Sequence, residues 1–529
     1  MARVLITEPL SEDGLAVLRH EPDVEVDIRL GMKADELAGI IANYEALIVR
    51  SETKVTSDLL DAATSMQVVG RAGSGVDNID ANAATRRGIV VVNAPEGNTI
   101  AAAEHTIGLM LALARHIPEA HGSLRGGKWA RSSFMGVELR GKTLGIVGLG
   151  RVGSEVARRA RGLEMRIIAL EPFQTPERAA AMGVQLVDKD ELLAESDFIT
   201  LHAPLTAGSR NIIGAVELTK VKPGVRIINV ARGGLVDEAA LIEALDDGRV
   251  AGAAIDVFEQ EPAPPDLPVL SHPKVIVTPH LGASTAEAQE RVASDVAQQV
   301  LAVLRGEPAT YAVNLPYINA ETFKLIAPYL QAATQAGALA TQLASQGQLQ
   351  SVEIEYLGEI AELETSPLRG AVIRGLLQPV SEENVTLVNA NLIAEQRGMK
   401  ISERSGSYDG IYKDLIRVNL ATSAGNTSVS VTAAHDGPHI VEINGFWVDV
   451  SPGEGYLFLC ENKDSPGMIG RIGTLLGERS INISFMRVGR QNVADRALMV
   501  LGLDDQLDAD TLSRIAGMPN IYSARVARI

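Results

Sequence analysis

Residues 142–171 read KTLGIVGLGRVGSEVARRARGLEMRIIALE, and they predict a strand, a glycine-rich turn, a helix and a second strand. Gly148, Gly150 and Gly153 have the G-x-G-x-x-G spacing of a dinucleotide site. In such a site the first glycine permits the tight turn, the second lets the main chain approach a pyrophosphate, and the third lets helix and strand pack closely. The pyrophosphate then lies at the helix N-terminus, where free N–H groups and the helix dipole favour anions.

A carboxylate follows at the end of the second strand. Glu171 comes 18 positions after Gly153, close to the spacing at which a carboxylate accepts hydrogen bonds from the ribose hydroxyls of adenosine. Because this negative charge would repel a 2′-phosphate, the sequence favours NAD over NADP as the cofactor.

A second nucleotide motif overlaps the first one. Residues 136–143, GVELRGKT, fit the P-loop pattern G-x-x-x-x-G-K-[ST] as written. A P-loop has a strand before its glycines and a helix after its lysine, whereas residues 141–143 lead into a strand. The context therefore argues against nucleoside triphosphate hydrolysis.

The composition is that of a globular protein with several domains. The 529 residues correspond to three or four domains, and a hydrophobic content of 46% is enough to build their cores. Lys and Arg number 48 against 66 Asp and Glu, so the net charge is −18. This balance provides no basic surface for nucleic acid or an anionic membrane. An anionic substrate would have to be held by locally placed arginines.

Cysteine content and hydropathy limit the cellular setting. The single Cys460 excludes an internal disulfide and every cysteine-based metal cluster, which fits a reducing cytoplasm. The apolar run at the N-terminus is too short for a signal peptide, and no stretch reaches the roughly 18 apolar residues of a membrane span. The sequence predicts a cytoplasmic protein without a metal site.

Short apolar runs before the glycine motif predict an α/β layer, and polar residues follow two of them. Arg50 and Ser51 come after ALIV, and Arg71 and Gly73 come after QVVG. Ligands bind at the carboxyl ends of buried parallel strands, so the arginines are candidates for holding an anion. The alternative is that they are solvated loop residues. The predicted strands of this layer are residues 3–7, 24–28, 46–49, 67–70 and 89–92.

The predicted elements divide the chain into four domains. Residues 1–97 and 283–316 form a discontinuous, flavodoxin-like substrate domain, and residues 98–282 form a Rossmann-type domain with a doubly wound parallel sheet. Residues 318–453 are predicted to form an intervening α+β domain. Residues 456–529 show the strand, helix, strand, strand, helix, strand order of a ferredoxin-like fold.

The Rossmann-type domain is predicted to begin with a connecting helix that ends at Arg115 and to contain six strands. His105 lies inside this mostly apolar helix and is predicted to pack there rather than to catalyse. The strands are expected near residues 142, 166, 197, 225, 250 and 275.

Three later segments carry polar residues where predicted strands end: NVARGG with Arg232, AIDVFEQEP with Asp256 and Glu261, and VTPHLGAS with His280. Oxidation of a secondary alcohol needs a base for the hydroxyl proton, and histidine suits this role because its ordinary pKa is about 6.5. Glu261 is the candidate carboxylate for the other ring nitrogen, and Arg232 is the candidate for holding a substrate carboxylate. His202, at the end of ITLHAP, is the rival base. No arginine or carboxylate accompanies it at a comparable spacing, so the pattern favours His280.

Several motifs together resemble the D-isomer-specific 2-hydroxyacid dehydrogenases. GLGRVG, NVARGGLVDEAAL, DVFEQEP and TPHLGAST occur in the order found in that family. GRAGSGVDNID, GGKWARSSFMG and the C-terminal extension resemble its long branch, which oxidises 3-phosphoglycerate with NAD to 3-phosphohydroxypyruvate, the first step of L-serine biosynthesis. The resemblance implies a homotetramer. The alternatives are a related dehydrogenase of glycerate, hydroxypyruvate or D-lactate, and a non-enzymatic NAD sensor like the C-terminal-binding corepressors.

The resemblance also implies roles for individual residues. It makes Arg232, Glu261 and His280 the catalytic set and places Asp256 on the nicotinamide amide. The implied NAD-site residues beyond the glycines are Arg151, Val152, Glu171 and Ala203. The implied substrate residues are Arg50, Ser51, Arg71, Gly73, Asn98 and, from a neighbouring subunit, Arg131. The sequence departs from the family at Glu171, where Asp is usual, and the intervening domain lacks matching basic residues for an anionic effector.

Residues 456–529 resemble an ACT domain in strand order and local sequence. In such proteins these domains pair edge to edge into one sheet across two subunits and bind an amino acid between them. The resemblance places L-serine, as a feedback effector, at Asn462, Asp464 and Asn482. The alternative is that these residues only cap the helix and shape the turn.

Overall fold

The computed structural model describes residues 1–316, 318–344, 347–453, 455–492 and 495–529. Over these residues the strands form four sheets, which follow one another along the chain. No helix in the described ranges has the length and apolar character needed to cross a membrane.

The first sheet is parallel and has the strand order β2-β1-β3-β4-β5. This is the flavodoxin-like order, and the buried runs of Val, Ile and Leu are typical of parallel strands covered on both faces. The strands are β1 (Ala2–Ile6), β2 (Val24–Ile28), β3 (Ala46–Val49), β4 (Val68–Arg71) and β5 (Val90–Asn93). The helices are α1 (Glu12–Arg19), α2 (Ala34–Ile40), α3 (Ser57–Ala62) and α4 (Ala81–Arg86).

The second sheet is parallel and has the order β12-β11-β10-β9-β6-β7-β8. Its order reverses at β6, where ligands bind in doubly wound sheets. The strands are β6 (Thr143–Val147), β7 (Arg166–Leu170), β8 (Gln185–Leu186), β9 (Phe198–Leu201), β10 (Val225–Asn229), β11 (Val250–Ile255) and β12 (Val275–Val277). The helices are α5 (Thr99–Arg115), α6 (Ile117–Arg125), α7 (Arg151–Gly162), α8 (Pro176–Ala181), α9 (Lys189–Glu195), α10 (Ala215–Leu218), α11 (Glu238–Asp246) and α12 (Pro268–Ser271).

The prediction of six strands in this sheet is wrong by one. The additional strand, β8, has two residues and lies at the sheet edge beside β7. A run this short has no periodicity to recognise, so its pairing is set by the neighbouring strand and not by its own sequence.

Helix α13 (Ala286–Leu304) brings the chain back to the first sheet. Val292, Val296 and Val300 on this helix are buried in the same core as Val4 and Ile6 of β1. Because β1 and α13 share a core, the layer around the first sheet is built from both ends of residues 1–316. The boundaries of the four domains stay predictions.

The intervening region packs two long helices on a mixed sheet of order β14-β13-β15-β16-β17-β18. Strands β13 and β14 are parallel, and the other pairs are antiparallel. The strands are β13 (Leu349–Gly358), β14 (Ile401–Gly406), β15 (Asp414–Thr422), β16 (Gly425–Ala434), β17 (Gly437–Ile443) and β18 (Phe446–Val450). The helices are α14 (Ala320–Leu343), α15 (Ser366–Leu377) and α16 (Ala390–Gln396).

The C-terminal region confirms the predicted ferredoxin-like fold. Its antiparallel sheet has the order β20-β21-β19-β22. One face packs on the two helices, whereas Leu457, Leu459, Leu498 and Val500 on the other face join the core of the intervening region. The elements are β19 (Tyr456–Lys463), α17 (Met468–Glu478), β20 (Ile483–Arg490), β21 (Arg496–Leu503), α18 (Ala509–Ala516) and β22 (Ile521–Arg528).

Candidate active site

A cavity of about 360 Å³ lies between the carboxyl edges of the first and second sheets. Ser74 lines it from the loop after β4 of the first sheet, and Asn98 lines it from the N-terminus of α5. Val152, Ala203, Arg232 and His280 line it from the side of the second sheet. Residues from segments far apart in the chain therefore meet in one cleft. This is the position at which doubly wound sheets bind their ligands.

The glycine turn between β6 and α7 leaves no room for side chains at two of its positions. Gly148 has φ 96°, and a Cβ there would lie 2.7 Å from the carbonyl oxygen of His202. A Cβ at Gly153 would collide with the carbonyl oxygen of Gly148. Gly150, the N-cap of α7, instead has open space where a Cβ would stand. The turn thus offers a close approach to helix N–H groups, which fits the pyrophosphate of a dinucleotide.

Glu171 lies beside this turn, and its role at the ribose hydroxyls stays a prediction. Its Oε2 accepts a hydrogen bond from the main-chain N–H of Leu149 at 2.9 Å, and its Oε1 accepts one from Phe173 at 2.9 Å. The carboxylate is therefore fixed at the carboxyl end of β7, and the longer side chain of Glu in place of Asp reaches the turn. Arg151, the first residue of α7, forms an ion pair with Glu96 at 3.5 Å.

His280 and Glu261 form a hydrogen-bonded pair. The Nδ1 of His280 lies 2.7 Å from the Oε2 of Glu261, and the Oε1 of Glu261 accepts a hydrogen bond from the N–H of Phe258 at 3.0 Å. Burial raises the pKa of Glu261, but the hydrogen bond to His280 and its positive field outweigh burial, so the pKa is lower than usual. The pair leaves Nε2 of His280 as the ring nitrogen for a substrate proton.

Arg232 is oriented from both layers. Its Nε donates a hydrogen bond to Oδ2 of Asp77 at 3.0 Å, and its Nη1 donates one to the carbonyl of Ala231 at 2.7 Å. Asn229 at the end of β10 stabilises the turn, since its side chain donates to the Arg232 carbonyl and accepts from the Ala231 N–H. Asp77 was not among the residues predicted from the sequence, although the motif GVDNID contains it. The remaining guanidinium N–H groups can bind a carboxylate bidentately.

Asp256 is completely buried behind the cavity. Its carboxylate accepts hydrogen bonds from the hydroxyl of Thr278 (2.6 Å) and from the N–H groups of Leu281 (2.7 Å) and Gly282 (2.9 Å). The Nε2 of His105 lies 3.3 Å from the same carboxylate. Burial raises the pKa of Asp256, but the hydrogen bonds from His105 and Thr278 outweigh it and lower the pKa. Asp256 therefore shapes the turn that carries His280, and its contact with the nicotinamide stays a prediction.

Arg71 carries a buried guanidinium at the end of β4. Burial lowers its pKa to about 10, and the nearby Arg232 adds to this effect; with this pKa Arg71 is still protonated at neutral pH. Its Nε is buried without a hydrogen-bond partner among the described residues. A Cβ at Gly73 would collide with Nη1 of Arg71, so glycine is what lets this side chain lie over the loop. A buried donor without a partner fits a site for an anionic group.

Two further predicted substrate residues have different positions. The side-chain amide of Asn98 donates a hydrogen bond to the hydroxyl of Ser74 at 3.2 Å in the cavity wall. Arg131 is exposed on the segment between α6 and β6, and the structure does not bring it to the cavity of its own chain.

His202, the rival base, lies in the cavity wall. Its Nε2 is 3.0 Å from the hydroxyl of Thr200, and burial lowers the pKa of His202 to about 3. A neutral ring bonded to a hydroxyl lacks the carboxylate that stabilises an imidazolium. The geometry at His280 suits a general base better.

Models of three protein families match successive parts of the chain. They are the NAD binding domain of the D-isomer specific 2-hydroxyacid dehydrogenases (residues 107–282), the D-3-phosphoglycerate dehydrogenase intervening domain (residues 325–444) and the ACT domain (residues 456–519). D-3-phosphoglycerate dehydrogenase of Bacillus subtilis (strain 168) is 44% identical over 528 residues, which span 99% of both chains. The chain belongs to the D-3-phosphoglycerate dehydrogenase family.

Other relatives agree with this family assignment. D-3-phosphoglycerate dehydrogenase 2, chloroplastic, of Arabidopsis thaliana is 45% identical and covers 98% of this chain and 85% of its own. A solved structure of D-lactate dehydrogenase from Aquifex aeolicus, complexed with NAD and lactic acid, is 27% identical with a TM-score of 0.54. It covers 59% of this chain and 99% of its own. The chain is therefore an NAD-dependent D-2-hydroxyacid dehydrogenase that carries additional C-terminal domains.

The predicted effector residues of this family member lie at opposite ends of the C-terminal sheet. Asn462 pairs with Ala497 near the end of β19. Asp464 follows this strand, and its Oδ2 lies 3.4 Å from Nε of Arg490. Asn482 precedes β20 at the other end and donates a hydrogen bond to Asp504 at 2.7 Å. One chain alone therefore does not bring the three side chains together. The Oδ1 of Asn462 is buried without a hydrogen-bond partner among the described residues.

Proposed function

We propose that the chain oxidises 3-phospho-D-glycerate with NAD to 3-phosphohydroxypyruvate, the first step of L-serine biosynthesis. The observation that carries this proposal is the proximity of three groups: the first two reach one cavity through His280 and Arg232, and the third lies near Arg232. These groups are the His280–Glu261 pair, Arg232, and the arginines that follow β3 and β4. The first group removes a proton, the second holds a carboxylate, and the third offers charge for a phosphate.

The proton is taken from the C2 hydroxyl of the substrate by Nε2 of His280. Glu261 holds Nδ1 and stabilises the imidazolium that forms, so the ring keeps one orientation throughout the reaction. Arg232 binds the substrate carboxylate and polarises the reacting oxygen. Asp77 holds its guanidinium, and Asn229 holds the main chain of the turn that carries it. When bound, NAD supplies the acceptor for the hydride from C2.

The NAD site is built from residues of the second layer. The glycine turn and the N-terminus of α7 are suited to the pyrophosphate, and Glu171 is suited to the ribose hydroxyls. Val152 and Ala203 line the cavity, and Arg151 is the first residue of α7. These side chains hold and orient the cofactor while Asp256 stabilises the turn that presents His280.

The phosphate is assigned to Arg50 and Arg71, with Ser51, Gly73 and Asn98 beside them. The net charge of −18 makes the protein repel anions at long range, so binding must come from short-range groups. The Nε of Arg71 is buried without a partner among the described residues, so a phosphate oxygen would supply the hydrogen bond that it lacks.

The experiment that tests the function follows NADH formation with 3-phosphoglycerate, D-glycerate and D-lactate side by side. Arg50→Ala and Arg71→Ala should each raise the KM for 3-phosphoglycerate by about tenfold or more, because a charge-assisted hydrogen bond is lost. The KM for D-glycerate, which has no phosphate, should change far less. Equal effects on the KM of both substrates would show that Arg50 and Arg71 are solvated loop residues without a phosphate contact. Preferential oxidation of D-lactate would favour a related dehydrogenase.

A homotetramer is part of the proposal, because two separate surfaces of the chain suit self-association. The first is an apolar patch on α6 and the segment after it, where Ile117, Leu124, Trp129 and Met135 are exposed, the last two by 83% each. A patch of this kind marks an interface. Arg131 lies within it, so a dimer formed there would carry Arg131 towards the neighbouring subunit.

The second surface is the edge strand β20. If two copies of β20 paired antiparallel, the start of each would meet the end of the other. Asn482 of one chain would then approach the end at which Asn462 and Asp464 of the other chain lie. This pairing explains how residues at opposite ends of one sheet form one L-serine site. Two different two-fold interfaces together generate a tetramer.

A further inference from the structure

Glu8 is a buried carboxylate at the carboxyl end of β1, and it binds the main chain of another loop. The residue is only 6% exposed. Its Oε1 accepts hydrogen bonds from the N–H groups of Arg50 (2.8 Å) and Thr53 (3.0 Å). Its Oε2 accepts hydrogen bonds from the N–H groups of Ser51 (3.0 Å) and Glu52 (3.0 Å). Four consecutive main-chain N–H groups therefore converge on one side chain.

The carbonyl groups of the same loop are held from a different side. The side-chain amide of Asn78 donates hydrogen bonds to the carbonyl oxygens of Arg50 (2.9 Å) and Thr53 (2.7 Å). The hydroxyls of Thr7 and Thr53 lie 2.9 Å apart. The main chain of residues 50–53 is thus held by side chains from outside the segment, which come from the loop after β1 and from the loop after β4.

The charge of Glu8 is matched to this arrangement. Burial raises the pKa of Glu8, but the hydrogen bonds from the N–H groups of residues 50, 52 and 53 outweigh it, so the pKa is lower than usual. Successive N–H groups that point into one space form a concave anion site, or nest. With an ionised Glu8 inside it, this nest is closed to other anions. A substrate anion is left to the guanidinium groups of Arg50 and Arg71.

We infer that Glu8 is a positioning residue for substrate binding: it fills the main-chain nest of residues 50–53 and sets where Arg50 and Ser51 stand. This inference rests on the proposed function, which assigns Arg50 and Ser51 to the substrate. Glu8 itself touches no substrate and takes no part in proton transfer.

The first test is Glu8→Gln in the full chain. The amide has nearly the same size, but its NH₂ faces two N–H donors and cannot accept from them, so the loop loses hydrogen bonds to a charged group. The KM for 3-phosphoglycerate should rise by about tenfold or more, whereas the KM for NAD should stay within about twofold. Glu52→Gln is the matched control, since it removes an exposed charge from the same loop and keeps its N–H; its KM should remain that of the wild type.

The second test is chemical rescue of Glu8→Ala. The truncation empties the nest, so acetate should bind the four N–H groups and lower the KM for 3-phosphoglycerate, while chloride at equal ionic strength should not. If neither variant folds, Glu8→Asp keeps the charge and shortens its reach, and its KM should be raised in the same selective way. A loss of stability alone would change the KM values for both 3-phosphoglycerate and NAD, or for neither of them.

Amide hydrogen exchange separates this inference from the proposed function. In Glu8→Gln the amides of residues 50–53 should exchange faster whichever substrate the enzyme uses. Unchanged exchange there, or faster exchange with an unchanged KM, would overturn the positioning role. Arg50→Ala is measured in parallel. If Arg50→Ala leaves the KM for 3-phosphoglycerate unchanged, the assignment of Arg50 to the phosphate has failed. A failure of the positioning role has a different signature, which is wild-type amide exchange of residues 50–53 in Glu8→Gln.

Discussion

Three carboxylates show, residue by residue, the same balance between burial and hydrogen bonding: Glu261, Asp256 and Glu8. Each carboxylate is partly or fully buried, and burial raises its pKa. In each one, hydrogen bonds to a histidine, a hydroxyl or main-chain N–H groups outweigh burial and lower the pKa again. Each charge orients another group: Glu261 orients His280, Asp256 orients the turn that carries His280, and Glu8 orients the loop of residues 50–53. These three carboxylates thus organise the site through their hydrogen bonds.

His280→Ala tests the base. The variant should lose on the order of 10²- to 10⁴-fold in turnover, because proton transfer is removed, and it should keep nearly the same NAD affinity. Turnover is measured as NADH formation, and NAD binding is measured by fluorescence or calorimetry. His202→Ala serves as the comparison. The assignment would be wrong if His280→Ala stayed active and His202→Ala did not.

Glu171 tests the cofactor preference. Glu171→Ala should weaken NAD binding, since the ribose hydroxyls lose their acceptor and the Leu149 N–H loses its partner. The KM for NAD should rise while turnover at saturating NAD stays near the wild-type value. Initial rates at varied NAD and NADP measure both effects. A wild type that used the two cofactors equally would contradict the role of this charge.

Among the secondary-structure elements, helices α14 and α15 cross closely because of two glycines. A Cβ at Gly337 would collide with the carbonyl oxygen of Val372, and one at Gly375 would collide with that of Thr334. The two helix backbones are therefore in direct contact, and no side chain separates them. Neither glycine stands out in the sequence, because a helix-interior glycine is ordinarily a weak residue for a helix.

Gly375→Ala should destabilise the intervening region by about 1–3 kcal/mol or more, because backbone atoms cannot move aside as a side chain can. Amide hydrogen exchange in α14 and α15 measures this local free energy. Gly39→Ala is the matched control, since Gly39 lies in α2 with open space around its Cβ position. That variant should be stabilised by up to about 1 kcal/mol. Equal stability of Gly375→Ala and wild type would contradict the backbone contact.

The C-terminal sheet and α14 share a core at the scale of the whole molecule. Leu457 and Val500 of the sheet lie in the same cluster as Leu339 and Leu343 near the end of α14. Arg525 of β22 donates a hydrogen bond to the carbonyl of Leu343 at 2.6 Å, so the helix end is held by the sheet. A change in the sheet therefore acts on a 24-residue helix that begins close to the catalytic half of the chain. Feedback requires that the effector bind two states with different affinity.

L-serine should inhibit the wild type, and Asn482→Ala should relieve the inhibition without changing turnover in its absence. The reason is that Asn482 is proposed to complete the site of the neighbouring chain. Initial rates with and without L-serine and a calorimetric titration measure the effect. Asp505→Ala, an exposed change at the same end of the sheet, should leave inhibition intact. A titration without any L-serine binding to the intact protein would remove this part of the proposal.

The amino-acid sequence by itself determined the features that are local in the chain. The glycine turn, the buried strands and the βαββαβ order at the C-terminus depend on residues close together, so periodicity and spacing were enough to predict them. Tertiary structure decided what depends on distant partners. Asp77 and Arg232 are 155 positions apart, Glu8 and Arg50 are 42 apart, and no local pattern encodes either pair. Such contacts form only when separate layers pack, because packing alone sets which loop ends meet at the edge of a sheet.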